Sequence, residues 1–460
     1  MRYVITAAAA VLLFVFAAGV RAAGPECRAC VTEPYVWVTG DLQNTEERFG
    51  IYRDAGVDML RIEANWSALE RSEGNWDASR QIEYIRLARR YGFRIKLILG
   101  VVMVPPAWYV RQHPGCLPAD EDGIASPKTL SYCYPGLKAL VREKSDRIVS
   151  LFKEAGVWDD VDCVIPALGP AGEPIYPHPW TMGAGYDTPR FWNYDANGQA
   201  AWRAAMKKKY KTIEKANRAW GTDFESFDAM PLLSSGEKPG AYWEDFLLWY
   251  RDLKRDFVRW QIKDALRAAR GKRVLVYIPG TAYTPEEWRE AVRTGEGGWT
   301  VRMMCDSMWV MEEALRQGAE LQYTGCQNEE EVARLRNYLD SKGYRDAVMW
   351  GENAGYWRCA KDPLRLAEIA VKHRLWGLDY THAHFAFILE GADRMPDTED
   401  FTPLLKPGIE VKPSPVIMPQ LKAAFGIIRD YWRSADRCEA AGRTPRRLTY
   451  GRPRRYDAGH

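Results

Sequence analysis

The sequence predicts an α/β fold of the (β/α)8 TIM barrel class, a single domain with an expanded loop after strand four. Three observations carry that expectation. First, one device recurs along the chain: a helix-period stretch, a closing glycine, then a short apolar strand. Second, counting these units gives eight strands, and eight βα units in 460 residues suit a closed barrel with long loops. Third, no Gly-x-Gly-x-x-Gly turn follows the first strand, which argues against an open dinucleotide-binding sheet.

Taken in order, Tyr35-Val36-Trp37-Val38 reads as the first strand. Helix 46–55 closes at Gly56 before strand 59–62, helix 78–91 at Gly92 before strand 95–99, and helix 137–155 at Gly156 before strand 163–168. Residues 176–239 form the expanded loop, with a helix of its own. Helix 242–270 then closes at Gly271 before strand 274–278, and helix 311–317 at Gly318 before strand 321–323. Helix 329–342 closes at Gly343 before strand 348–350, and helix 364–376 at Gly377 before strand 378–380. A glycine at each closure supplies the left-handed turn that ends a helix.

The termini bound the compartment and the domain. Arg2 followed by the apolar run 7–20 reads as a signal peptide spanning residues 1–22, too short to span a bilayer. The expectation is a secreted or periplasmic protein, with the barrel over 23–435 and a disordered basic tail over 436–460. A net charge of only +3 argues against nucleic acid or a membrane surface as partner. Nine cysteines fit an oxidising compartment, with Cys27–Cys30, Cys116–Cys133 and Cys326–Cys359 as candidate disulfide bonds.

In a barrel of this kind the chemistry sits at the C-terminal ends of the strands. Polar and aromatic residues collect there. Arg61, Glu63, Asn65 and Trp66 lie at the end of strand two, Glu173 follows strand four, and Tyr176, His178 and Trp180 come close behind. Tyr283 follows strand five, Tyr323 and Gln327 end strand six, Glu352 and Asn353 end strand seven, and His382 lies along strand eight. Two carboxylates across a barrel mouth, with aromatic rings between them, are what glycosidic bond cleavage requires. Glu173 is assigned as the catalytic acid and Glu352 as its partner, with Arg61 orienting Glu352. The remaining residues named above are assigned to substrate binding. The expected partner is a carbohydrate substrate, and the chemistry calls for no cofactor or metal.

Two sets of motifs carry resemblances to known families. Arg61-Ile62-x-x-Asn65-Trp66-Ser67-x-Leu69-Glu70 and Tyr210-x-x-Ile213-Glu214-x-x-Asn217-x-Ala219-Trp220-Gly221 resemble segments of the family 42 β-galactosidases, in the large clan of retaining (β/α)8 glycoside hydrolases. Gly169-Pro170-Ala171-Gly172-Glu173, Leu321-Gln322-Tyr323-Thr324 and Gly351-Glu352-Asn353-Ala354 resemble strand-end motifs of the β-amylases. These resemblances imply a secreted glycosidase acting on an oligo- or polysaccharide. Clan members carry Asn before the acid, where this chain has Gly172. The β-amylase base is matched to Gln327, which cannot take a proton from water. The expectation is therefore a retaining double displacement by Glu173 and Glu352. The alternatives are an inverting β-amylase-like enzyme and a non-catalytic carbohydrate-binding barrel.

Overall fold

The computed structural model describes residues 27–440 apart from 41, 43, 183–188, 233–239, 354–360, 382, 393–401 and 407. Eight parallel strands close into a barrel, each hydrogen-bonded to the next along the chain and the first to the eighth. In chain order they are β1 (Ala29–Thr32), β2 (Met59–Asn65), β3 (Arg94–Gly100), β4 (Val161–Pro166), β5 (Arg273–Ile278), β6 (Glu320–Tyr323), β7 (Met349–Glu352) and β8 (Leu378–Tyr380). Seven match the sequence expectation. The first does not: residues 35–38 begin a short helix, Tyr35–Thr39, and the strand is the preceding run Ala-Cys-Val-Thr. A four-residue apolar run fits either period. The burial of Trp37 and Val38, with Tyr35 and Val36 half-exposed, is the one-sided pattern of a helix. The run 29–32 is buried throughout because strands lie on both sides of it.

The helices fall close to expectation, among them Ser79–Arg90, Leu137–Glu154, Ala241–Ala268 and Glu329–Ser341. Six of the seven closing glycines take positive φ. Gly377 does not. Arg374 supplies the left-handed turn with φ of 55°, and Gly377 is kept small by packing. A Cβ there would lie 2.4 Å from the Arg28 carbonyl oxygen and 2.7 Å from the Trp350 ring.

The main core runs through the barrel and its helical jacket. A second core is rich in aromatic rings, with Phe191, Trp192, Trp202, Trp243, Phe246 and Tyr250 beneath the expanded connection after β4. Among the described residues that connection carries the helices Ala196–Tyr210 and Ile213–Trp220 after the short helix Pro179–Met182. The run Trp66–Glu70 packs inward: Trp66 is fully buried and its Nε1 donates to Glu70, which also pairs with Lys144 at 3.1 Å. Among the described residues no helix is long and apolar enough to cross a membrane.

Two expected disulfide bonds are absent. Cys27, Cys30, Cys116 and Cys133 are all unpaired thiols. Residues 27–30 run into β1 as extended chain, which puts the two Cα atoms about 10 Å apart, beyond the roughly 7 Å a disulfide can bridge. Cys116 packs in the barrel core, while Cys133 packs against the aromatic one. Cys359 lies outside the described residues, as do residues 1–22 and 441–460.

Candidate active site

A cavity of about 710 Å³ opens at the C-terminal end of the barrel, and both Glu173 and Glu352 line it. Its volume lies in the range of ordinary small-ligand sites. The walls differ by strand. Thr32, Arg61, Glu63, Glu352 and Thr381 come from β1, β2 and β7 and from the residue after β8. Ile98, Met103 and Ile175 come from β3 and from the loops after β3 and β4. Trp299, Met303 and Cys305 come from the long connection after β5.

Glu352 ends β7 on a buried polar network. Its Oε2 accepts from the Arg61 guanidinium and, at 2.7 Å, from the Gln322 amide. The same Gln322 nitrogen donates to Asp379 at 2.8 Å, and the Gln322 oxygen accepts from Lys96 at 2.8 Å. Asp379 also pairs with Lys96 at 3.1 Å and Arg61 at 3.3 Å, and accepts from the Thr32 hydroxyl at 3.0 Å. Barrel register makes this possible, because Thr32, Arg61 and Lys96 stand level on β1, β2 and β3, as do Asp379 and Glu352 on β8 and β7. Two cations and two anions balance inside the barrel. Burial alone would raise the Asp379 carboxyl, but Arg61 and Lys96 hold it well below the usual carboxylate range. Arg61 thus pairs with Glu352 and Asp379 and not with its strand neighbour Glu63.

Glu173 sits in different surroundings. It follows a tight turn in which Ala171 and Gly172 both take positive φ, 53° and 83°. One carboxyl oxygen accepts from the Thr324 hydroxyl, and the Gly280 backbone N–H also reaches it. Burial pushes the carboxyl up to about 7 against these two bonds, and the Glu352 charge adds to the rise. Gly172 is required on two counts. Its φ favours glycine, and a Cβ would meet the Tyr277 ring at 2.9 Å. The turn is tied down by the buried Lys254, whose ammonium donates to Pro174 O at 2.6 Å and to Met304 O.

The other expected site residues divide. His178 and Gln327 line the cavity beside Arg61 and Glu63. Burial pushes the His178 imidazole down to about 4, so it is neutral near pH 7. Asn65 lies one layer behind, donating to Glu63 at 2.6 Å and filling the space above Gly100. Asn353 is buried and accepts from the Thr381 N–H at 2.8 Å. Tyr323 is buried and donates to Gly280 O at 3.0 Å, bracing the residue whose N–H reaches Glu173. Trp66 and Tyr176 stand in the core and away from the cavity. Tyr176 stacks on Tyr250 at 4.0 Å and donates to the Tyr250 carbonyl. Tyr283 packs on Trp288 beside the cavity wall. Trp180 falls in the short helix Pro179–Met182, but its side chain is not among those described; His382 lies outside the described residues. Glu329, a possible substitute base, is bound by Arg365 and Lys372 at a helix N-terminus.

Sequence reasoning missed Lys96, Gln322, Thr324 and the wall of Met303 and Cys305. A signal existed for the first two. Each is a polar residue inside an apolar strand run, Ile95-Lys96-Leu97 and Leu321-Gln322-Tyr323, and such residues are buried only when partnered. Nothing in the 295–305 segment marks it as cavity wall.

A closed parallel barrel holding two glutamates around one cavity at its C-terminal end has the architecture of the barrel glycoside hydrolases. Residues 37–274, just over half of the chain, match glycosyl hydrolase family 14, and the protein belongs to that family. It is similar to a β-amylase of Cytobacillus firmus, 30% identical over 146 residues that make up 29% of this chain and 30% of the relative. It is also similar to a β-galactosidase of Thermus thermophilus, 30% identical over 231 residues, 48% of this chain and 33% of that one. The chain thus spans about a third of either relative. Among solved structures, the β-amylase catalytic domain of Paenibacillus polymyxa superposes with a TM-score of 0.66 at 19% identity, covering 78% of this chain and 93% of that one. A β-galactosidase from Marinomonas ef1 superposes at 0.59 with 14% identity, covering 91% of this chain and 61% of that one. At those identities the likeness concerns the fold.

Proposed function

We propose that the protein hydrolyses a glycosidic bond between Glu173 and Glu352 with inversion at the anomeric carbon. Glu173 is the general acid, Glu352 the base that activates water, and the arginine at 61 orients Glu352. The observation that carries the reading is the contrast in surroundings across one cavity. Glu173 is raised to about 7 by burial, while Glu352 is held by a guanidinium and an amide that bind a carboxylate. Inversion follows the chemistry of family 14. Glu352 takes the place that sequence matching gave to Gln327, because it is Glu352 whose charge Glu173 feels across the cavity. Gln327, His178 and Glu63 then meet substrate hydroxyls. Secretion follows from the signal-like first 22 residues.

One observation favours the retaining reading. Oε2 of Glu352 is taken by two donors, which leaves the other oxygen free to attack carbon directly. The family 42-like runs in the sequence point the same way. Proton NMR of the first sugar released separates the two. Immediate product of opposite anomeric configuration supports the inverting pair, and product of unchanged configuration makes Glu352 the nucleophile. If Glu173→Gln hydrolyses every substrate as fast as the parent, both readings fail.

A further inference from the structure

The acid and its partner stand in unlike halves of the cavity, and the difference bears on the leaving group. Glycosidic cleavage places the leaving oxygen against the acid, so whatever departs lies on the Glu173 side. That side is apolar. Ile175, two residues after Glu173, forms a contiguous buried cluster with Met303 and Cys305, and Trp299 packs against it. Met103 and Ile98 continue the wall. The wall is also fixed in place: Tyr176 N–H donates to Met303 O at 2.9 Å, and Lys254 bridges Pro174 O and Met304 O. Polar side chains in this half are few. Among the described residues, besides Glu173, they are the neutral His178, Thr281 and Thr324, whose hydroxyl is already taken by Glu173. The half that takes the cleaved sugar is built differently, with Thr32, Arg61, Glu63, Glu352 and Thr381 in a row of neighbouring strands.

A hexose leaving group would bring several hydroxyls against thioether, thiol and isobutyl-like surface, and a buried hydroxyl without a partner is unfavourable. An alkyl or aryl aglycone would meet the same wall at no such cost, and the apolar area withdrawn from water would be mainly its own, because Ile175, Met303 and Cys305 are already buried. We infer that the Ile175–Met303–Cys305 wall is a leaving-group subsite for an apolar aglycone, and that the substrates are glycosides of hydrophobic alcohols or phenols. The inference rests on the assignment of Glu173 as the acid.

The test compares methyl glycosides, n-hexyl glycosides and disaccharides that share the same cleaved sugar, over both anomers of glucose, galactose and maltose. Hexanol and methanol are similarly poor leaving groups, so the hexyl-to-methyl ratio reports contact and not bond strength; a sugar hydroxyl is the more acidic leaving group, which biases the disaccharide comparison against the inference. The expected result is a kcat/KM for the hexyl glycoside at least about tenfold above the methyl glycoside and the disaccharide, since two buried methylenes already account for that factor. Met303→Asn should erode the hexyl-to-methyl ratio. A ratio near one, or faster cleavage of the disaccharide, overturns the inference. Calorimetric binding to Glu173→Gln separates this from failure of the hydrolase reading. Hexyl glycosides that bind about tenfold tighter than methyl ones, with no hydrolysis by the parent, would keep the subsite and discard the chemistry. Equal binding, or none, discards the subsite whatever the activity.

Discussion

The two halves of the barrel mouth solve the same problem, the placement of a carboxylate, by opposite means. On the β7–β8–β1–β2 side, Glu352 is one member of a charge-balanced network whose every charge has a hydrogen-bonded partner. On the β3–β4–β5 side, Glu173 is held by a hydroxyl and a peptide N–H among apolar walls, with no cation paired to it among the described residues. Ion pairing favours a carboxylate's charged form, whereas desolvation favours its neutral form. The lesson is that one cavity can set two carboxyls in opposite surroundings through what each half buries around its glutamate.

The sharpest break of that contrast is chemical. Glu352→Gln and Glu173→Gln should each cost about 10²- to 10⁴-fold in kcat, the usual worth of an acid or base. Only one loss should be recoverable. An activated aryl leaving group needs little protonation, so it should restore much of the Glu173→Gln rate and almost none of the Glu352→Gln rate. The check is kcat on a series of substituted phenyl glycosides. Equal recovery in both variants would dissolve the distinction between the halves.

The second break concerns stability. Lys96→Met removes one cation from the polar half and leaves Asp379 under-compensated. Removing one member of a buried ion pair costs about 3–5 kcal/mol, to be read from denaturant unfolding. Asp379 is depressed in the folded state, so its contribution is present above its unfolded value, about 3.9, and fades as pH falls below that. The Lys96→Met deficit should therefore shrink in acid. Lys254→Met is the corresponding change behind the apolar half. It leaves the Pro174 and Met304 carbonyls unsatisfied but also removes a buried charge, which burial already pushes down to about 8. A smaller loss of about 1–3 kcal/mol is expected, together with a fall in kcat as the Glu173 turn loosens.

How much of this was legible in the sequence follows the same division. The strands, the helices and both glutamates were readable because period, closing glycines and strand-end position are local signals. The polar network is partly readable: Arg61 stands out at a strand end, but Lys96, Gln322 and Asp379 become its members only through register across the barrel. The apolar wall was not readable at all. Met303 and Cys305 reach the cavity because the connection after β5 folds back onto the loop after β4, and no spacing in either segment encodes that contact. Trp66 and Tyr176 were misplaced for a related reason. A ring beside a strand end looks the same in sequence whether it faces the cavity or, like Tyr176 on Tyr250, the core. The first strand was misplaced because Tyr35–Val38 and Ala29–Thr32 are equally short and apolar.

The smallest expected effect tests the apolar half most directly. With Glu173 as the proposed acid, the rate should fall as pH rises through about 7. The Thr324 hydroxyl donates to the carboxyl and so favours its charged form, opposing burial. Thr324→Val removes that opposition and should move the alkaline limb upward. A hydrogen bond of about 1 kcal/mol corresponds to roughly 0.7 of a pH unit. The limb in Glu63→Gln, on the polar side, should stay within about 0.2 of a unit of the parent, because Glu63 is not among the groups that set Glu173. A pH profile of kcat/KM for the three proteins reads both shifts. An upward move in Thr324→Val alone means that Glu173 is governed by its own half. A downward move would show that the hydroxyl accepts from the protonated acid instead of donating to its anion, and the acid would then owe part of its raised value to Thr324 as well as to burial.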